Sequence, residues 1–380
     1  MFIVIVARGV PSERTPLWGI FELDQARALR AAGHRVVIAA LDVRSIRRRR
    51  PFGLRHEVVG GIDVHTASIP LGRVPTAIDQ AVLDRAFDAV YGRIVARHGA
   101  PDIVHAHFTK YALAASRSQH RDDFTLVVTE HNSKFTPTSI PLDLRVKASE
   151  AYRRADEVIA VSPALAEIIT NNFDLPVKVV PNIVDVATFA RLPRVSHTGR
   201  IRLVSVGNLI ERKRMVLLVD GFAQAFADRP EISLAIMGEG DQRDEITRHV
   251  EESGLTGRVE LLGQCTRAEI SHEFATADGF VLLSQWETFG VVFIEAMASG
   301  LPVLSSLCGG PEGFIHEGVG MFADTSGVAE LAGSLAEFVG HFRDWDADSI
   351  RADVTARFGP DTIAAELTRV YTEAMSRQRH

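Results

Sequence analysis

The chain has 380 residues, 46% of them hydrophobic and 24% charged, an ordinary balance for a folded protein and a length that calls for two or three domains. No apolar run approaches the roughly 18 residues of a transmembrane helix, and two distant cysteines, Cys265 and Cys308, give neither a disulfide framework nor a metal cluster, which points to a reducing cytoplasm. The net charge of -6 is uneven: residues 1–190 hold 24 Lys and Arg against 20 Asp and Glu, residues 191–380 hold 18 against 28, a shift that suits two domains with different surfaces.

In chain order, Phe2-Ile-Val-Ile-Val6 reads as a first strand rather than a signal segment, because it lacks a basic leader and is too short. A loop with Gly9, Pro11, Pro16 and Gly19 follows, then a helix over Ile20 to Ala32 that stops at Gly33, then a strand over His34 to Ala39. Strand, glycine-bearing loop, helix and strand make a βαβ unit with a parallel sheet. Gly19 lies where a helix N-terminus favours an anion, although a plain turn explains it as well. Arg44 to Arg55 reads as a loop and contains Arg47, Arg48, Arg49 and Arg50. A solvated loop is its plain reading; its functional reading is a patch for an acceptor, phosphates or an anionic membrane surface. Nucleic acid ranks lowest, since no aromatic residues interleave the arginines.

Residues 76–98 form an amphipathic helix. The apolar strands Asp102–His107 and Thr125–Thr129 end in polar residues, the second in Glu130-His131-Asn132, which suits a site better than a core. A lone histidine is usually structural, so His107 ranks below His131. Glu157–Val161, a helix opened by Ser162-Pro163, and Val177–Val180 continue the alternation. Pro181-Asn182 closes the first domain, and Pro193 to Gly199 reads as a linker.

Ile201–Val206 starts a new sheet and leads into Gly207-Asn208, then Arg212-Lys213-Arg214 ahead of a helix from about Val216 to Ala227. A glycine directly after a strand and cations beside a helix N-terminus make a diphosphate cradle, with Lys213 as the contact and Arg212 and Arg214 possible solvated neighbours. The spacing is not that of a P-loop. Ser233–Met237 with Gly238 and Gly240, and Val259–Leu262 with Gly263, are further strand-and-glycine steps. Phe280–Leu283 reads as a strand, Phe289–Ser299 as a helix stopped by Gly300, and Pro302–Leu304 as the next strand. Glu287 and Glu295, with seven residues between them, bracket this apolar stretch. Buried carboxylates need partners, so the pair is either a ligand wall at the sheet edge or a helix-dipole partner and a solvated position. Asp346-Ala-Asp348 reads as a helix cap, and no metal is expected.

With these residues placed, the second half resembles the donor-binding half of retaining glycosyltransferases of family 4. The Glu287-to-Glu295 spacing is similar to that family's Glu-x7-Glu motif, and Glu-Ala-Met-Ala-Ser-Gly-Leu-Pro-Val extends it. Gly207 with Lys213, Gly238 with Gly240, and Pro181-Asn182 match further family features, and Gly19, Gly33-His34 and His131 match weaker ones. The resemblance implies an α/β, GT-B chain of two Rossmann-like domains with parallel sheets facing a central cleft. Residues 1–185 would form the acceptor side, with a C-terminal helix of about 361–380 packing back, and residues 186–360 the nucleotide-sugar side. It further implies that Glu295 binds the donor ribose and Glu287 the transferred hexose. Lys213, with the backbone around Phe289, Gly290 and Val291, would neutralise the diphosphate, and His131 would lie near the sugar. Where members commonly have arginine, this chain has Asn208, so Lys213 or Arg212 must supply more charge.

The expected reaction is hexose transfer with retention from a UDP- or GDP-hexose to a hydroxyl of a carbohydrate, glycolipid or small molecule, with no prosthetic group. Two rivals stand beside it. One is a glycoside hydrolase using Glu287 and Glu295 as acid and nucleophile. The other is a non-catalytic nucleotide or polyanion binder using Arg47 to Arg50.

Overall fold

The structure is a computed structural model that describes all residues except 13–14, 16–17, 46–51, 73, 190–198 and 379–380. The arginine run Arg47 to Arg50 and most of the expected linker therefore lie outside the described residues. The chain divides into two compact units, Met1–Ile183 with Pro360–His380, and Val184–Gly359.

The first unit holds strands β1 (Phe2–Ala7), β2 (Arg35–Ser45), β3 (Gly53–Val59), β4 (Ile62–Leu71), β5 (Ile103–His107), β6 (Thr125–Glu130), β7 (Glu157–Ala160) and β8 (Lys178–Val179). Its helices are α1 (Ile20–Ala31), α2 (Thr76–His98), α3 (Thr109–Ser116), α4 (Leu142–Arg153) and α5 (Pro163–Phe173). The strand order is β3-β4-β2-β1-β5-β6-β7-β8. Every neighbouring pair is parallel except β3 with β4. That exception corrects the expectation of a loop from Arg44 to Arg55. β2 runs on to Ser45, and Arg55 lies on an antiparallel edge hairpin closed by Gly60-Gly61. The alternation in Leu54-Arg55-His56-Glu57-Val58 is short and leaves most of β3 exposed, as suits a charged edge strand. β1 is buried along its whole length, the pattern of a central parallel strand covered on both faces. The C-terminal helix, Pro360–Gln378, belongs to this unit: Ile363, Leu367, Val370 and Tyr371 are buried in the core cluster that includes Ile3, Ile5 and Leu29.

The second unit holds β9 (Ile201–Val206), β10 (Ile232–Met237), β11 (Val259–Gly263), β12 (Gly279–Leu282), β13 (Val303–Ser305) and β14 (Gly320–Phe322). Its helices are α6 (Met215–Ala225), α7 (Arg243–Glu252), α8 (Arg267–Ala275), α9 (Val291–Ala298), α10 (Val328–Gly340) and α11 (Ala347–Phe358). The order is β11-β10-β9-β12-β13-β14, all parallel. α9 starts two residues later than expected. Gly290 precedes it with φ 87, and the Phe289 ring is buried against Phe314 and Phe358. Asp346 caps α11 through the Ser349 N–H, the role its sequence suggested.

Each sheet has one place where the chain leaves a strand to one side and later returns to the other. In the first unit it lies between β1 and β5, in the second between β9 and β12. Ligand crevices of open parallel sheets form at the carboxyl ends of such strand pairs.

Candidate active site

The site in the second unit starts from two loops pressed together at the ends of β9 and β10. Gly238 has φ 145, and a Cβ on it would lie 1.9 Å from the Gly207 carbonyl oxygen, so only glycine lets the backbones meet. The Leu209 N–H donates to Glu239 O at 3.0 Å, and the Gln242 N–H to Leu209 O at 3.0 Å. This fixes Glu211–Lys213 as one 3-10 turn leading into α6. The Lys213 side chain then lies over Gly207, its Cε 3.5 Å from where a Cβ would be.

The β12 loop docks on the same turn. The Gln285 N–H donates to Arg212 O at 2.8 Å, and the Lys213 ammonium is ion-paired to Glu287 Oε1. Ser284 Oγ donates to the same oxygen at 2.6 Å. The Glu287 backbone is clamped on the β13 loop, its N–H donating to Cys308 O at 2.7 Å and its carbonyl accepting from the Gly310 N–H at 2.8 Å. Glu287 thus sits in the loop beyond β12, not at the strand end itself. Lys213 and Glu287 keep 12% and 11% of their side-chain surface exposed, enough for a ligand to reach them. Burial and then the neighbouring Glu287 and Glu312 carboxylates push the Cys308 thiol up to about 12, so it is no nucleophile at neutral pH.

Glu295 is buried in α9, and the sequence did not reveal its partner. Arg267 Nε and Nη2 donate to Glu295 Oε1 at 3.2 and 3.0 Å, while the guanidinium lies 5.5 Å from the Phe189 ring centroid. This buried cation–carboxylate pair corrects the plain reading of Glu295 as a solvated helix position. Arg214 is not a solvated neighbour of Lys213 either, since its Nη1 donates to Thr325 Oγ1 at 3.0 Å. Asn208 is exposed, and the Arg212 backbone supports the Gln285 loop. At the α9 N-terminus the Phe293 N–H donates to Gly290 O at 3.0 Å and no side chain caps the first turn, which leaves the helix end to favour an anion.

At the switch point of the first unit the chemistry is different. His107 Nδ1 and His131 Nε2 are 2.9 Å apart, with rings stacked at 5.1 Å and 19°. His105 continues the stack at 4.5 Å from His107 and is fixed by Tyr371 and Thr129, both at 2.7 Å. His107 is His131's direct partner, a contact in keeping with a structural histidine and one its sequence did not show. Burial first, then His107 and Arg8, hold the His131 imidazole well below its usual value, while a hydrogen bond with Asn182 works the other way. Burial and Arg8 lower His107 to about 3. Both rings are therefore neutral at pH 7.

The loop carrying His131 is held by Glu130, which is fully buried. Its Oε1 accepts from the His131 and Asn132 N–H groups at 2.9 and 2.8 Å, and its Oε2 from the Thr109 N–H at 3.0 Å, the Tyr152 hydroxyl at 2.8 Å and the Thr109 hydroxyl. Gly19 has φ 73, and a Cβ there would lie 2.0 Å from Gly9 O, so close packing within its own loop accounts for the glycine.

The two halves match two family models in turn. Residues 22–188 match the model described as Glycosyltransferase Family 4, and residues 190–340 match Glycosyl transferases group 1. This chain is a family 4 glycosyltransferase. It is 28% identical over 291 residues to the glycogen synthase of Mycobacterium tuberculosis, covering 73% of this chain and 70% of that one. It is 26% identical over 293 residues to the N-acetyl-alpha-D-glucosaminyl L-malate synthase of Bacillus anthracis, covering 72% and 75%. Among solved structures, sucrose-phosphate synthase from Thermosynechococcus elongatus superposes with a TM-score of 0.80 at 21% identity, over 99% of this chain and all of that one. Anabaena HepE in complex with UDP-glucose gives 0.71 at 20% identity, over 98% and 100%. The transferase thus has the GT-B fold and catalyses hexosyl transfer from a nucleotide sugar. The hydrolase reading finds no support: each carboxylate of the Glu287–Glu295 pair has its own cation. Among the described residues, no helix is long and apolar enough to cross a membrane.

Proposed function

We propose that the enzyme transfers a hexose from UDP- or GDP-hexose, with retention at the anomeric carbon, to a hydroxyl of a carbohydrate, glycolipid or small-molecule acceptor. The observation that carries this reading is the Lys213–Glu287 ion pair at the ends of β9 and β12. When a donor enters, Lys213 turns to the diphosphate and stabilises the negative charge that grows as it leaves. Glu287, released from the cation, accepts hydrogen bonds from the sugar hydroxyls. Glu295, already oriented by Arg267, accepts those of the ribose. The α9 N-terminus adds its backbone donors to the diphosphate. His131, neutral and anchored by His107 and Asn182, is our candidate for a sugar contact. The acceptor hydroxyl attacks on the face the diphosphate leaves, and its proton passes to the departing phosphate oxygen. Anabaena HepE was solved with UDP-glucose, which supports a uridine donor first.

The test is a melting-temperature panel of UDP, GDP and ADP with their hexoses, followed by a transfer assay on Glu287→Gln. One nucleotide should raise the melting temperature of the wild type. The variant should still bind that nucleotide while turnover falls at least about 100-fold. Sugar release that needs no nucleotide donor would sink the proposal. We also propose a cytoplasmic enzyme in peripheral contact with anionic membrane through Arg47 to Arg50. Liposome flotation unchanged after neutralising the four arginines would remove that contact.

A further inference from the structure

Arg8 leaves β1 at the switch point of the first unit and is held in an unusual way. Its guanidinium lies 4.6 Å from the Trp18 ring centroid and 5.0 Å from that of Phe108. Trp18 is itself fixed by its indole N–H donating to Arg8 O at 2.8 Å. Phe108 is placed by a backbone with φ 66, which a bulky side chain rarely adopts, and its ring also meets His131 at 5.0 Å. Beneath lies Glu22, 1% exposed, with Oε1 3.8 Å from Arg8 Nε, too far for a hydrogen bond.

Four buried polar atoms around Arg8 meet no hydrogen-bond partner. Arg8 Nε, both oxygens of Glu22 and Nε2 of His107 are buried and unbonded. Buried polar groups are nearly always satisfied, so several orphans in one contiguous cluster mark a place that a ligand completes. A guanidinium stacked between two rings keeps its in-plane N–H edge for a planar or tetrahedral oxyanion, and its rotamer is already fixed. Arg8 is partly exposed, so that edge is reachable. Burial raises the Glu22 carboxyl above its ordinary value, with Arg8 and its own backbone N–H opposing. Asp42 and Tyr111 are the other titratable groups that bear on this floor.

We propose that Arg8, stacked between Trp18 and Phe108 above Glu22, is the acceptor-recognition residue, and that the acceptor carries an oxyanion near the hydroxyl that is glycosylated. The oxyanion is a phosphate monoester or a carboxylate. This rests on the transferase reading above and names the acceptor class it leaves open. The Arg8 edge takes two oxygens of the anion, and the orphaned His107 and Glu22 atoms complete the contact through the acceptor's hydroxyls. Arg8 is thereby a specificity residue, and donor binding in the second unit does not depend on it.

The experiment titrates inorganic phosphate, glucuronate and glucose into the full chain by calorimetry, with the nucleotide of the panel present at saturation. Wild type should bind at least one of the two anions. Arg8→Gln should weaken that binding roughly 10- to 100-fold, the range of a charge-assisted contact, with glucose and nucleotide binding unchanged. Arg8→Lys should fall between, since it keeps the charge without the planar fork, and it carries the comparison if Arg8→Gln does not fold. Tighter phosphate assigns a phosphate monoester; tighter glucuronate assigns a carboxylate. If neither anion binds wild type, or both bind Arg8→Gln equally well, the proposal is overturned. If no nucleotide binds wild type, it is the donor reading that fails, which the nucleotide arm reports separately.

Discussion

The two switch points solve the same geometric problem with opposite electrostatics. At the end of β9 and β12, charges are kept and paired: Lys213 with Glu287, Arg267 with Glu295. At the end of β1 and β5, charge is suppressed in the histidines, which burial holds neutral, and is left to the stacked Arg8 and the raised Glu22. A paired cation can be handed to a leaving diphosphate, because the ligand replaces one anion with another. A neutral imidazole stack makes and accepts hydrogen bonds without repelling a developing positive charge on the sugar. On the function proposed above, the difference assigns leaving-group stabilisation to the paired charges and acceptor contact to the neutral site, and it can be broken at either end.

The largest effect is expected from Lys213→Ala compared with His107→Ala. Removing Lys213 takes away a preorganised charge on the leaving group and leaves Glu287 unpaired, so turnover should fall roughly 1,000-fold. His107→Ala removes a support for His131 and a neutral acceptor contact, but no charge on the leaving group, and should cost about 10-fold. Steady-state transfer assays on both variants check the ranking. Equal losses would dissolve the division of labour.

Next in size is Glu130→Gln, which strikes the scaffold of the neutral site. The carboxylate accepts from five donors, and an amide cannot accept them all because its own NH2 meets the Thr109 and Tyr152 donors. A loss of about 3 kcal/mol in urea unfolding is expected. Glu312→Gln, which keeps an acceptor for the Gly309 N–H at a more exposed position, should cost well under 1 kcal/mol.

Acid should act on the first unit before the second. His65, His105, His107 and His131 all have imidazoles lowered in the folded state, with His65 at about 4 and His107 at about 3. A lowered folded value means the unfolded chain binds the proton more readily. These groups contribute full stability above about pH 6.5, and the contribution is lost as pH falls toward 4. Melting followed by Trp286 and Trp345 in the second unit and by Trp18 in the first, each alone in a double Trp→Phe background, should show the Trp18 transition dropping first between pH 6.5 and 5. Parallel decline of all three would contradict the contrast.

These tests also bear on what the sequence made legible. The second-unit site was readable because its parts are contiguous: Gly207 to Lys213 is one loop, and Glu287 to Glu295 one loop and helix. Alternation of apolar runs with glycines likewise revealed both parallel sheets. The histidine stack was only half visible, since His131 stood out at a polar strand end, while its pairing with His107 depends on the lateral register of β5 and β6. The β3–β4 hairpin was missed because an exposed edge strand carries charges where a core strand carries apolar residues. Arg8, Glu22 and Arg267 gave no signal at all. Nothing in the spacing of residues 8, 18, 22 and 108 says that they meet; only the order of β1 and β5 brings them together.

The smallest expected effect sharpens the comparison most, because it asks whether a paired charge positions or reacts. Arg267→Lys keeps a cation beside Glu295 but loses one of the two contacts to Oε1 and the planar face over Phe189. Arg and Lys are not equivalent at such a site, and about 1 kcal/mol of donor binding should be lost. If Arg267 only orients the ribose carboxylate, the loss falls in the donor KM, roughly fivefold, and kcat stays within about twofold. Shortening the donor to a nucleoside that keeps the ribose should preserve the same fivefold difference in binding, since the contact does not involve the diphosphate. A drop in kcat with unchanged KM would instead place Arg267 with Lys213 among the charges that act on the leaving group.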